Sequence, residues 1–311
     1  MKAKEMNKGA KLGRLNRVTA FDIVIAAVVI VVTFVVAYPL YFVVIASFSK
    51  PDDVELGRTL LWVSNFRPTA YINILNESRL WIGYRNTICY TFFGVLYNLV
   101  LTFPAAYVLT KKTMPFHGLI SWFFFITMYI GGGLIPSYIL YKDLGLINNP
   151  LSMILGTGVS IHNLIICRQF FSTSIPGELC EASYIDGCND WQTFLKVCLP
   201  LAKPIIAVMA LYYGVGRWNT YTAGLYYLIN EDYYTLQQMI RLIMDEGVSA
   251  EQALADPDID AASVTALLAQ IEATRSMQYA VVFVACAPLL AVYPFLQKYF
   301  VKGAMIGSVK G

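Results

Sequence analysis

Long windows without a charged residue constrain this sequence more than any other feature. A bilayer core of about 30 Å is crossed by about 20 helical residues, so each such window is long enough for a transmembrane helix. A further crossing is predicted over 199–218, where Lys203 can extend its amine to the interface. The pattern predicts an all-α integral membrane protein with six transmembrane helices. The five uncharged windows are 23–49, 86–110, 113–141, 144–167 and 276–297.

Composition agrees with a membrane location. Hydrophobic residues make up 57% of the 311 residues and charged residues 14%, against about 25% charged in ordinary soluble domains. A soluble fold of this size could not bury so many apolar side chains. Disordered proteins, disulfide scaffolds and most soluble enzymes are therefore excluded. The six cysteines form no CxxC pair and are interpreted as small apolar residues, and His117 and His162 are too far apart in sequence to predict a metal site.

The distribution of basic residues predicts the orientation. Of the 23 Lys and Arg residues, 14 fall on the side of the N-terminus, and cytoplasmic segments carry this excess. Both termini are therefore predicted to be cytoplasmic. The chain then divides into an N-terminal tail over 1–22, a membrane domain over 23–298 and a C-terminal tail over 299–311. Within the domain lie two outer loops, 50–85 and 219–275, and a cytoplasmic loop, 168–203.

The second outer loop contains two helical patterns. The first, from Leu236 to Ile243, is predicted to end at Gly247, and the second runs from Val264 to Ile271. Ser249 and Gln252 have the spacing of a capping box between them. These helices are expected either to form a small cap on the membrane or to dock a partner protein.

The cytoplasmic loop has the pattern of two short helices. Pro176 suits a first helical turn. Gly187 permits a turn with positive φ. Asp190 is predicted to cap a second helix over 191–197, which enters the fifth span through Leu199 and Pro200. Such an element could transmit a push from a cytoplasmic partner into the membrane.

At these residues the chain resembles the permease subunits of binding-protein-dependent ABC importers, whose loop motif is E-A-A, three residues, G, nine residues, I-x-L-P. The spacing is matched throughout, with Ser183 in place of Ala and Val197 in place of Ile. Softer similarity to the oligosaccharide branch lies in 131–136, 214–219 and 299–311. The matching residues are Glu181-Ala182-Ser183, Gly187 and Val197-Cys198-Leu199-Pro200.

The resemblance implies a type I ABC importer fold in a bacterial cytoplasmic membrane. It implies a second, homologous permease subunit, two cytoplasmic ATPase subunits that bind ATP and magnesium, and an extracytoplasmic solute-binding protein. This chain would be a non-catalytic subunit without its own cofactor or nucleic-acid partner, and the sequence contains no G-x-x-x-x-G-K-[ST] motif. The residues expected to couple it to the ATPase are Glu181, Ala182, Ser183, Asp186, Gly187, Leu199 and Pro200.

Aromatic residues are candidates for the path of a sugar. Tyr and Trp also concentrate at membrane interfaces, so both interpretations stay open. Arg217 is either a charge at the outer interface or a contact of the pore or of the binding protein. Alternatives to oligosaccharide import are import of a peptide or other small solute by the same machinery, a secondary transporter, and a membrane scaffold. The candidate pathway residues are Tyr129, Tyr138, Trp218, Asn219, Tyr221 and Tyr226.

Overall fold

The computed structural model of the protein describes residues 20–256 and 260–308. Most of the predicted N-terminal tail, and the last three residues of the C-terminal tail, lie outside this range. All regular elements within it are helical. The α-helices are α1 (Ala20–Ser47), α2 (Pro51–Glu55), α3 (Thr69–Asn76), α4 (Ser78–Val108), α5 (His117–Thr127), α6 (Leu134–Asp143), α7 (Leu151–Leu155), α8 (Ile161–Ser174), α9 (Gly177–Ile185), α10 (Asp190–Thr193), α11 (Leu199–Leu201), α12 (Lys203–Trp218), α13 (Thr222–Tyr227), α14 (Leu236–Leu254) and α15 (Ala261–Ser308). A π-helical turn, Phe194–Cys198, joins α10 to α11, and a 3-10 turn, Glu231–Tyr233, precedes α14.

Three continuous helices of the described chain are long and apolar enough to cross a membrane. They are α1, α4 and the apolar part of α15. A fourth crossing is reached if the segment Asp190–Leu201 and α12, which meet at 80°, are counted together. Within residues 20–256 and 260–308, the predicted count of six transmembrane helices is therefore not confirmed.

Two predicted spans are broken near their middles. The window 113–141 divides into α5 and α6 around Gly131–Gly133, and Gly133 has a φ of +81°. The window 144–167 divides into α7 and α8, with Gly156 and Gly158 at the break. Glycine favours such breaks because it adopts positive φ and costs more entropy in a helix than alanine does. A charge-free window thus predicted the apolar environment but not a continuous helix.

The predicted span 199–218 also differs from a straight helix. It bends between α11 and α12 at Ala202, which is fully buried. Pro204 lies in the first turn of α12, where its missing N–H leaves no donor for the preceding turn. The segment predicted to be cytoplasmic is therefore joined to α12 through a bend of 80° and not as one straight helix.

Helix α4 is the central element of the fold. Its C-terminal half packs against α8 and α12, and its N-terminal half packs against α14. The first contact surrounds a core with Phe103, Leu164 and Met209 at its centre. Helix α15 packs against α1, α3, α12 and α14, and completes a second core around Leu80 and Val281. Helix α4 thus connects the two cores.

The outer loop differs from its prediction. Helix α14 continues through Gly247 to Leu254, so Gly247 does not end it. The capping box lies at Thr235 and Gln238, whereas Ser249 lies inside the helix and donates from Oγ to the carbonyl of Asp245. The structure requires a glycine at 247 because of a contact with α15, and not because the helix ends there. A Cβ there would lie 2.5 Å from Cγ2 of Thr274 on α15.

Candidate functional site

The loop that carries the motif, residues 168–203, forms two short helices joined by a tight turn. Helix α9 begins one residue after Pro176, and Gly187 has the positive φ that its position requires, +82°. The cap of α10 is Asn189 rather than Asp190. Asn189 and Gln192 each accept a hydrogen bond from the other's backbone N–H, which is a capping box. The predicted helix–turn–helix is therefore present, with its cap one residue earlier.

Small polar side chains fasten α9 to the helix that follows. The hydroxyls of Ser183 and Thr193 lie 2.8 Å apart, and both residues are buried. The sulfur atoms of Cys180 and Cys198 lie 3.8 Å apart beside them. Ser183 is thus an internal contact of the segment, and the two cysteines meet although no spacing rule pairs them.

The other face of α9 is open. Glu181, Ala182 and Asp186 are exposed, and Ile185 is 87% exposed. Ile185 thus adds an apolar group to an exposed face that also carries two carboxylates. Sequence reasoning identified the carboxylates and missed Ile185. Leu199 and Pro200 lie on α11, at the membrane end of the segment.

One lysine connects this segment to the end of α4. Lys111 donates from Nζ to the Tyr184 hydroxyl, 2.8 Å away, and Tyr184 donates to Oδ1 of Asp190 across 2.6 Å. Lys111 Nζ and Asp190 Oδ1 are 3.7 Å apart. The three residues come from α9, from α10 and from the loop after α4.

A cleft of about 310 Å³ lies between α4, α6, α7, α8, α12 and α13, and we call it the polar cleft because most of its lining residues carry a polar side chain. Arg217 contributes its charge to the lining. Its Nη2 donates to the carbonyls of Ile154 (2.9 Å) and Thr157 (3.0 Å), and its Nη1 to the carbonyl of Met153. The side chains of the cleft offer hydroxyl, amide and aromatic groups, the chemistry that recognises sugars. The lining residues include Asn98, Tyr141, Ser160, Asn163, Tyr212, Tyr213 and Thr220.

The predicted pathway residues do not lie together in this cleft. Trp218 is buried, and its indole N–H donates to the carbonyl of Ala285 across 3.0 Å. Tyr129, in the break between α5 and α6, is 71% exposed. Tyr138 and Asn219 are exposed, as is Tyr226, whereas Tyr221 is half-buried. No pattern along the chain indicated the cleft, because its walls come from six different helices.

The described residues contain no group of three or more His, Cys, Asp or Glu side chains placed to hold a metal ion.

Residues 79–305 match the sequence model of the binding-protein-dependent transport system inner membrane component family. The chain belongs to this family of membrane permeases.

Individual relatives agree with that assignment. The polygalacturonan/rhamnogalacturonan transport system permease protein YtcP of Bacillus subtilis is 31% identical, over 94% of this chain and 98% of the relative. Protein LplC of the same organism is 32% identical, over 88% and 89%. The arabinooligosaccharides transport system permease protein AraQ of Halalkalibacterium halodurans is 26% identical, over 90% and 93%.

A solved structure shares the fold. A chain of a bacterial ABC transporter involved in the import of the acidic polysaccharide alginate superposes with a TM-score of 0.76 at 30% identity, covering 90% of this chain and 96% of that one. The type I importer fold and the resemblance that the loop indicated are thus confirmed.

Proposed function

We propose that this chain is the permease subunit of an ATP-driven, binding-protein-dependent importer for an oligosaccharide or polysaccharide fragment. The observation that supports this proposal most directly is the exposed face of α9. This helix carries the motif that resembles the family, and its exposed side is open to contact with a partner protein. The relatives that transport polygalacturonan and arabinooligosaccharides support a carbohydrate cargo. The alginate importer supports a cargo carrying uronate groups.

In this proposal α9 is the helix that seats in the ATPase. Glu181 would pair with a basic group of the ATPase, and Ile185 would bury its side chain in the contact. Gly187 sets the direction of the helix, while Ser183 holds it against α10. ATP and magnesium are bound by the ATPase subunits, and this chain converts their closure into a change of access across the membrane.

The topology follows from the same proposal. Six crossings are completed if α5–α6 and α7–α8, each broken by glycines, are each counted as one crossing. Both termini and α9 are then cytoplasmic, and α14 faces outward, where a solute-binding protein can dock. A homologous second permease would cover part of the apolar surface of α5 and α6, on which Trp122 and Ile135 are exposed.

The polar cleft is the proposed contact of this subunit with its cargo. Tyrosine rings can stack on the C–H face of a sugar, and Asn163 and Ser160 can bind its hydroxyls. Arg217 adds a positive charge that suits a uronate. Tyr129, Tyr138 and Asn219 remain proposed contacts at exposed positions along the path.

The test is ATPase activity of the purified complex in proteoliposomes with its binding protein. The panel comprises oligogalacturonates, alginate oligosaccharides, arabino-oligosaccharides and peptides. Stimulation by one glycan class is expected, and stimulation by peptides alone would overturn the cargo assignment.

Variants of the complex test the coupling face. Glu181→Lys reverses a charge at the contact and should reduce recovery of the ATPase with the permease. Ile185→Asp should do the same by placing a charge in an apolar contact. Lys112→Glu, an exposed charge reversal at the end of α4, is the control. Full ATPase recovery by both α9 variants would contradict the coupling role.

A further inference from the structure

Two routes connect α9 with the membrane. The first follows the chain through the π-helical turn Phe194–Cys198 and α11, then through the 80° bend into α12. A bend of this kind can act as a hinge, because π-helical turns and kinks are the places where a helix changes direction most easily. We expect a displacement of α9 along this route to be transmitted to α12 only in part, since some of it becomes rotation at the bend.

The second route avoids the bend. Lys111 follows α4 by three residues, and its Nζ donates to Tyr184 of α9 across 2.8 Å. Tyr184 in turn donates to Asp190, the first residue of α10. The ammonium also lies 4.8 Å from the ring centre of Tyr107, which is buried beneath it. One side chain at the end of α4 is thereby tied to both arms of the coupling segment.

We infer that Lys111 is a positioning residue that delivers the movement of α9 directly to α4. The inference rests on the proposed coupling function of α9. Helix α4 is suited to receive the movement because it also carries Asn98, whose amide donates to the carbonyl of Gly158 across 2.6 Å and which binds Arg217. A single helix therefore links the coupling segment with the break between α7 and α8 that borders the cleft.

The contact of Lys111 with Tyr184 and Asp190 contributes little to the stability of the fold, so it can be removed without unfolding the protein. The side chains of Lys111 and Asp190 are 27% and 75% exposed, and ion pairs in contact with water add little to stability. Removing Lys111 should therefore leave a folded complex with a loosened link.

The experiment measures access to the cleft and needs no cargo. In a cysteine-free background of the whole complex, Ser160→Cys places a reporter in the cleft. Its rate of labelling by a charged methanethiosulfonate reagent is compared with and without ATP and vanadate. Lys111→Met, which keeps the length of the side chain, should reduce the ATP-dependent change in rate about fivefold, the effect of one partly exposed charge-assisted hydrogen bond. The ATPase subunits should remain bound.

The controls separate positioning from general damage. Lys112→Met removes the neighbouring, exposed charge and should leave the ATP response intact, and Lys111→Arg should restore most of it. If Lys111→Met fails to assemble, Tyr184→Phe removes only the bridging hydroxyl and should weaken the response in the same direction.

The two proposals fail in different ways. If ATP and vanadate do not change the labelling rate of the reporter in the parent complex, the proposed importer function fails. If they change it by the same factor in the parent, in Lys111→Met and in Tyr184→Phe, only the role of Lys111 is overturned.

Discussion

Arg217 donates from Nε to Oδ1 of Asn98 across 2.7 Å, which joins α12 to α4 beside the break between α7 and α8. The two side chains together bind four backbone carbonyls at that break. Unsatisfied carbonyls are costly at membrane depth, and irregular backbone occurs there where it is buried in protein or lines a water-filled cavity. Arg217 therefore supplies hydrogen-bond partners for carbonyls at the end of α7, in addition to its proposed role as a charged group of the cleft.

The space for this guanidinium is provided by Gly94. A Cβ at Gly94 would overlap Nε, Cδ and Cζ of Arg217. Gly94→Ala should therefore displace the side chain from its carbonyls and lower the free energy of unfolding by about 1–3 kcal/mol, as overpacking does. Thermal unfolding of the detergent-solubilised complex measures the loss.

Gly216→Ala is the matched control. Gly216 also lies in a helix of this region, but a Cβ there has open space within 4 Å. Alanine is the better helix former by about 0.5–1 kcal/mol, so this variant should equal or exceed the parent in stability. Equal unfolding temperatures for the Gly94 and Gly216 variants would mean that Arg217 does not depend on the gap.

The sequence predicts where the chain is apolar better than where its helices break. The first, second and last windows lie in continuous helices, although each of these helices contains an internal proline: Pro39 in α1, Pro104 in α4, and Pro288 and Pro294 in α15. The break before α8 could not be predicted, because the groups that satisfy it include Arg217, which is 60 residues from Thr157 in sequence. Local patterns contain no information about such contacts.

The same distinction applies to the candidate site. The turn at Gly187 follows from local backbone chemistry, and the spacing of the loop predicted it. Asn189 rather than Asp190 became the cap because both can accept from the backbone, and Gln192 completes a box only with Asn189. The contact of Lys111 with Tyr184 spans 73 residues. Only the folded chain shows it.

For Gly247→Ala, the sequence pattern and the structure predict changes in stability of opposite sign. If the glycine ended α14, as its position in the pattern indicates, alanine would extend the helix and stabilise it. In the structure the helix is continuous, and a Cβ at Gly247 would lie 2.5 Å from Cγ2 and 2.7 Å from Cβ of Thr274. Gly247→Ala should therefore separate α14 from α15 and cost about 1–3 kcal/mol.

Hydrogen exchange of the α14 amides, together with thermal unfolding, measures this effect. Faster exchange in the variant is the expected result. Slower exchange would show that the glycine limits the helix and does not serve the contact with Thr274.

An ion cluster ties the start of α4 to α14 and predicts a pH dependence. Arg79 donates from Nε to Glu77 (2.9 Å) and from Nη1 and Nη2 to Glu246 (2.5 and 3.1 Å). The hydrogen bond from Arg79 lowers the pKa of Glu77 below its usual 4.5, although partial burial opposes the shift. Because the folded-state pKa is depressed, the stabilisation is present above pH 4.5 and is lost as the pH falls through the folded-state value.

After correction for the intrinsic effect of pH on exchange, the α14 amides should therefore exchange faster as the pH falls below 4.5. Glu77→Gln should make this increase in exchange rate smaller. At neutral pH, Arg79→Met should cost about 1–3 kcal/mol, since it removes the guanidinium from two partly buried carboxylates and leaves Glu77 only the backbone N–H of residue 79 as a donor. Arg241→Met removes an exposed pair within α14, with Asp245, and should cost less than about 0.5 kcal/mol. Equal costs for the two arginine variants would contradict the bridging role of Arg79.

The last prediction separates conformation from bulk in the turn of the coupling segment. Gly187 has a φ of +82°, whereas Gly177, in the first turn of α9, has no positive φ, and a Cβ at either site meets nothing within 4 Å. Alanine at 187 must therefore accept a left-handed backbone, which costs about 1–2 kcal/mol, or must redirect α9. Gly187→Ala should reduce binding-protein-stimulated ATPase activity in proteoliposomes, while Gly177→Ala should leave it near the parent level. Retained stimulation in Gly187→Ala, with loss only in variants larger than alanine, would show that the ATPase contact excludes volume at this turn and that its backbone conformation is not what matters.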